Sequence, residues 1–360
     1  MISKKSLFFQ NGFSNIFILL LLVIIVLGTF LTFQFLSRKP SSTSAPKQLK
    51  RIGLLQYQKI FEPSINGFKQ SMSELGYKEG QDISYDPKQA DGDKEKLKQF
   101  SEEFINQKVD LILADSPESG VAALQVATKS ANPAIPIVFA NATRPDKIGL
   151  IKSFKSSGNN TTGVAVDFAS LTAKKLEFLK RINPKITKLG VISSKVSDPT
   201  ADYNLEELRS QAPKFGMTLV EYQLKSPPGP SSTQEVQKLV DSLKPGDFDA
   251  YFHPAGPVVN FPANRKILMS IGKKLKVPTV FTRDFDPNEE SWLLSYGHDF
   301  LETGKQVAVI VDKVLKGTKP ADIPIEYHKK NRLIIDLRAA SDIGITIPDS
   351  ILAIADRKIK

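Results

Sequence analysis

The chain has 360 residues, of which 41% are hydrophobic, 24% charged and 9% aromatic, and it contains no cysteine. That balance belongs to a folded body of one large or two medium domains, and the missing thiols exclude disulfide frameworks, Cys-ligated zinc, iron–sulfur clusters and thiol catalysis. Six of the 49 Lys and Arg fall in the first 50 residues, which carry no acid, leaving 43 basic against 38 acidic side chains elsewhere; such a surface lacks the basic stripe that nucleic-acid binding needs.

Residues 1–15 lead into a run without a charged side chain, 16–36 (IFILLLLVIIVLGTFLTFQFL). About 20 apolar residues cross a hydrocarbon core of about 30 Å, and the run exceeds the apolar region of ~7–15 residues in a cleavable signal. Its length therefore favours a transmembrane anchor over a removed signal. Lys4 and Lys5 favour a cytoplasmic position for 1–15, but Arg38, Lys39 and Lys47 flank the other end, so charge leaves the orientation open. Residues 37–50, rich in Ser, Pro and Lys, read as a linker.

From residue 51 strands and helices alternate. The runs 51–57 (RIGLLQY), 82–85, 109–114 (VDLILA) and 135–140 (IPIVFA) read as strands. Between them, Phe61, Ile65, Phe68, Met72 and Leu75 recur at helical spacing, followed by helices at 93–108 and 117–130. The pattern restarts with strands at 162–166, 188–193, 217–224, 249–252 and 277–281, and helices at 170–181, 202–215, 233–243 and 263–275. Strands spaced by helices of this size imply parallel βαβ units, and two such blocks predict two doubly wound lobes. Of the remaining segments, 292–296 (WLLSY) and the helix 301–315 are expected to join one lobe together, and 332–336 the other. Open parallel sheets bind ligands beyond the carboxyl ends of their strands, so two facing lobes predict a cleft that closes on a small molecule. This much does not separate a binding protein from an enzyme.

Catalytic constellations are missing from the sequence. His253, His298 and His328 have no metal-ligand spacing. There is no G-x-S-x-G elbow or phosphate-binding loop, and 284–290 (DFDPNEE) departs from a calcium loop at its sixth position. No catalytic residue, metal or cofactor is expected. What remain are polar and aromatic residues at predicted strand ends: Tyr57 and Gln58, Asp115 and Ser116, Asn141 and Thr143 in the first block, His253, Asp284 and Phe285 in the second. A helix opening after Ser116 suits a carboxylate. Tyr57 and Phe285 are placed to sandwich an apolar body, and Asp284 offers a partner for an ammonium.

Four blocks, 67–84, 137–164 (IVFANATRPDKIGLIKSFKSSGNNTTGV), 297–326 (GHDFLETGKQVAVIVDKVLKGTKPADIPIE) and 333–351 (LIIDLRAASDIGITIPDSI), resemble the ABC-transporter substrate-binding proteins that include tryptophan and other aromatic amino-acid binders. The resemblance covers about 50–358. It implies an α/β, type I periplasmic-binding fold whose lobes, 51–163 plus 293–323 and 164–292 plus 324–360, meet at hinge crossovers near 163–167, 290–296 and 322–327. It also implies a monomeric solute-binding protein on the extracytoplasmic side of the cell membrane, held by the single N-terminal helix and delivering a small organic solute, such as an amino acid, to an ABC permease. A tethered ligand-sensing domain signalling through a partner is the alternative.

Overall fold

The first apolar run forms a strand because helices cover both its faces: Ile52, Leu54 and Leu55 are wholly buried, as a parallel sheet inside an α/β layer requires. The computed structural model describes residues 28–29, 49–131, 134–195, 199–282, 288 and 291–360, and 49–360 form one unit distinct from 1–48. Apart from Gly28 and Thr29, the expected membrane segment lies outside the described residues, among which no helix is long and apolar enough to cross a membrane.

In chain order, β1 (Lys50–Gln56) is followed by α1 (Glu62–Glu74), β2 (Ile83–Gln89), α2 (Lys94–Asn106), β3 (Leu111–Ala114), α3 (Pro117–Lys129), β4 (Ile137–Thr143) and β5 (Thr161–Val166). The second block runs α4 (Thr172–Ile182), β6 (Lys188–Ser194), α5 (Pro199–Gln211), β7 (Thr218–Leu224), α6 (Pro230–Ser242), β8 (Ala250–Phe252), α7 (Pro257–Asn260), α8 (Pro262–Met269), α9 (Ile271–Leu275) and β9 (Thr279–Phe281). The remainder is β10 (Leu294–His298), α10 (Phe300–Leu315), β11 (Glu326–Tyr327), β12 (Asn331–Asp336), α11 (Leu337–Ile343), α12 (Asp349–Leu352) and β13 (Arg357–Ile359). The helix expected over 263–275 is thus two helices meeting at Ser270.

Two sheets result. The first has the order β11-β5-β4-β3-β1-β2 and is parallel throughout. The second has the order β13-β12-β10-β9-β8-β6-β7, with β10 and β12 antiparallel. Each lobe is built alike around its leading strand. Gly53 in β1 admits the Phe104 ring where a Cβ would lie 2.8 Å from it, and Gly190 in β6 does the same for Phe248 at 2.5 Å.

One expectation needs correction. Strand β10 and helix α10 do not join one lobe. The strand pairs with β12 from Leu294↔Ile335 to His298↔Asn331 in the second sheet, whereas α10 packs Val307 and Val311 with Phe68 and Met72 of α1 in the first lobe. The chain therefore changes sheets after Val166, at Asp299, and between Tyr327 and Asn331, a few residues downstream of the boundaries expected at 163, 293 and 323.

These crossings are bonded to one another. The Asp167 N–H donates to His298 Nε2 at 3.1 Å, the Asp299 N–H donates to the Lys330 carbonyl at 3.1 Å, and Thr303 Oγ1 lies 2.8 Å from His328 Nδ1. Asp299 caps α10 through the N–H groups of Leu301 and Glu302 and pairs with Arg332. Below them Lys175 is wholly buried, donating to the Phe168 carbonyl at 3.3 Å.

Candidate functional site

Strands β4, β3 and β1 are neighbours, so the residues leaving their carboxyl ends converge. The Tyr57 N–H donates to both carboxylate oxygens of Asp115, at 3.0 and 3.2 Å, and Ser119 Oγ donates to one of them at 3.2 Å. Burial pushes the Asp115 carboxyl up to about 8, against the opposing pull of these bonds. Near neutral pH the group is therefore mostly uncharged, a support beneath the site. Ser116 is wholly buried. Its Oγ accepts from the Ser119 N–H at 3.1 Å, and its own N–H donates to Ser119 Oγ at 2.9 Å. That capping box holds Ser116 at the terminus of α3.

Asn141 is the strained member. Its φ is +57°, at an irregularity in the β4–β5 pairing between Phe139 and Ala142. Left-handed backbone is costly for a non-glycine residue and least so for Asn and Asp. Its Nδ2 donates to Ser64 Oγ at 2.9 Å and to the Asp115 carbonyl at 3.0 Å. A carbonyl can only accept, so this bond fixes the amide and turns Oδ1 the other way. Oδ1 is buried and has no protein partner. Thr143, also buried, ends the strand. Half-buried Gln58 lies against the turn at Gly92.

On the second lobe, Ser193 ends near the carboxyl edge of β6, its Oγ buried and without a protein partner. It lines a hollow with Ser194, Asp202, Pro254, Ala255 and Gly256. His253 does not open toward this gap. It is wholly buried, with Nδ1 3.3 Å from the Tyr251 hydroxyl and Nε2 3.2 Å from Asn260 Oδ1. Its ring packs 4.9 Å from Trp292 and 5.1 Å from Phe281, so it props the wall. Asp284 and Phe285 lie outside the described residues.

Sequence reasoning passed over Ser193 as a site residue, although its place at the end of the KLGVIS strand was a usable signal. Among the described residues, the buried Gln89 Nε2, Asn141 Oδ1 and Ser193 Oγ lack a protein partner. Gln89 ends β2, Asn141 and Ser193 stand near the carboxyl ends of β4 and β6, and His298 and Asn331 face each other at the crossings. Unsatisfied polar atoms are expensive in a core, so each calls for a strained contact, a water, an ion or a ligand to account for it.

Comparison with known proteins bears on the family and the fold. A model of the family described as ABC transporter substrate binding protein matches residues 61–359. A tyrosine-binding protein of Clostridioides difficile is 29% identical over 304 residues, spanning 83% of this chain and 82% of its own length. Among solved structures, a Streptococcus pneumonia ABC domain in complex with L-Trp superposes with a TM-score of 0.72 at 23% identity, covering 87% of this chain and 100% of that one. The ligand-free, open structure of a substrate-binding protein with adhesive properties from Clostridium difficile gives 0.66 at 25% identity, with coverage of 87% and 100%.

Proposed function

The chain belongs to the ABC transporter substrate-binding protein family, and from that premise we propose that it captures an amino acid with an aromatic side chain between its two lobes and presents it to an ABC permease. The observation that carries this reading is Asn141. Its backbone is held in a left-handed turn and its Oδ1 is buried and unpartnered at the carboxyl edge of β4, an acceptor suited to the ammonium of an amino acid. Ser193 Oγ offers a second polar anchor on the opposite lobe, and a tyrosine-binding relative supports the aromatic preference. Binding needs no bond making: the solute bridges the lobes and stabilises their closed arrangement. The apolar segment 16–36 supports a tether that holds the body at the outer face of the membrane.

The test is a thermal-shift and calorimetric screen against L-tyrosine, L-tryptophan, L-phenylalanine and aliphatic amino acids. A bound solute at about a hundredfold excess over Kd stabilises the fold by about 2.7 kcal/mol. Asn141→Gly keeps the left-handed backbone accessible but removes the amide with its two buried hydrogen bonds to Ser64 and the Asp115 carbonyl, so it is expected to fold with stability lower by about 1–3 kcal/mol and to bind about tenfold or more weakly, the worth of one hydrogen bond to a charged donor. No response to any amino acid from a folded protein would end the assignment.

A further inference from the structure

Arg144 and Tyr203 meet between the lobes, beside the crossing residues Asp167 and Tyr327, whose charges and ring lie within electrostatic reach of the pair. Arg144 leaves the carboxyl end of β4 in the first lobe; Tyr203 stands on α5 of the second. The guanidinium carbon lies 4.6 Å from the centre of the Tyr203 ring, within the range where a cation is attracted to an aromatic face. Both arms are fixed. Arg144 has φ +46°, its carbonyl accepts from the Lys147 N–H at 2.9 Å, and its Nε lies 3.4 Å from Asp146 Oδ1. The loop behind it is pinned to the Pro145 carbonyl by the N–H groups of Leu150 and Ile151. Helix α5 is anchored in the second lobe by Leu205 and Leu208. A left-handed Arg is a conformational cost that β4 itself does not need. It turns the side chain of Arg144 out of the strand path and onto the other lobe.

Resting on the reading that a solute is held between the lobes, we propose that Arg144 and Tyr203 form a latch that sets how long the closed state lasts and therefore how fast the solute leaves. The pair is made only by side chains, so opening the lobes breaks it without disturbing either fold. Half-buried, it avoids the desolvation cost of a fully buried ion pair.

The chain has no cysteine, so the variants Lys129→Cys and Lys214→Cys, at exposed positions one in each lobe, place a pair of spin labels in the full-length protein in detergent. Pulsed electron resonance then gives the interlobe distance, and release of isotope-labelled L-tyrosine gives the off-rate. Arg144→Gln and Tyr203→Ala are each expected to lengthen the distance in the ligand-free protein and to speed release about 3- to 30-fold. The double variant should do no more than either single one, and Tyr203→Phe, which keeps the ring but loses the hydroxyl bonded to Arg144, should fall between wild type and Tyr203→Ala. Folded variants with wild-type distance and release would overturn the latch, as would fully additive effects in the double variant. If the wild type takes up no L-tyrosine, the solute reading fails, while the distance in the ligand-free protein still decides the latch.

Discussion

Replacing Lys175 by methionine should make the protein more stable near neutral pH. The Lys175 side chain is wholly enclosed, its amine bonded to one carbonyl at 3.3 Å and 5.9 Å from the Phe252 ring. Burial drives its pKa down from 10.5 to about 7, with the Asp167 charge opposing. The fold therefore holds fewer protons at this position than the unfolded chain at every pH between those values. Each pH unit is worth about 1.4 kcal/mol, so the burden on the fold is nil above 10.5, grows as pH falls, and below 7 reaches roughly 4–5 kcal/mol. Methionine fills the same volume without an amine and leaves the Phe168 carbonyl unbonded at a cost of about 1 kcal/mol. The expected net gain at pH 7 is about 2–4 kcal/mol. Asp115, with its pKa raised to about 8, works oppositely: the unfolded chain ionises first, so stability falls from about 4 up to about 8 and is flat beyond. Urea denaturation between pH 8 and 9.5 therefore isolates the lysine. Wild-type stability should climb there by about 1.4 kcal/mol per unit, and the variant's should not. If Lys175→Met is no more stable at pH 7 and its slope above pH 8 matches wild type, the amine is not suppressed by burial and the reasoning fails.

Gly304→Ala should lower the melting temperature and weaken solute binding together. The new Cβ would lie 1.9 Å from the Ser64 carbonyl and 2.7 Å from the Phe68 nitrogen, so α1 and α10 must separate, at a cost of about 1–3 kcal/mol or more; an unchanged melting curve would show that the contact is slack. His298→Gln should flatten the acid limb of stability. Burial, with the neighbouring His328 and Lys175 charges, lowers the His298 pKa from 6.5 to about 3, so its ring stays neutral in the fold while the unfolded chain takes up a proton. That stability is present above 6.5 and is lost as pH falls toward 3, by about 1.4 kcal/mol per unit. Urea midpoints from pH 7 to 4 should fall more steeply in wild type than in the variant, and parallel curves would refute the assignment.

The parallel strands were legible because strands covered on both faces keep an uninterrupted apolar run, as in LILA of β3 and AYF of β8, with helical spacing between. The antiparallel partner of β10 was not: its pairing with β12 spans the whole of α10, and no local pattern announces a partner so distant. Strands β11 and β13, of two and three residues, are too short to show a period. At the site, strand ends pointed to Asn141 but not to its left-handed backbone, which the β4–β5 irregularity imposes. His253 carried the right position and the wrong exposure, since Tyr251, Asn260 and Trp292 close over it. The Arg144–Tyr203 contact joins residues from different lobes and had no signature in either segment.

The glycine seat between α1 and α10 has a mechanical consequence. Helix α10 is capped by Asp299, the residue where the chain passes from one sheet to the other, and Gly304 rests on the Ser64 carbonyl. The hydroxyl of that same serine holds the Asn141 amide. If the lobes close on a solute as proposed, a pivot at the crossing would be carried along a stiff rod to Asn141, swinging the lobes and adjusting the grip would be one movement, and a wedge at position 304 would disconnect the handle from the jaw.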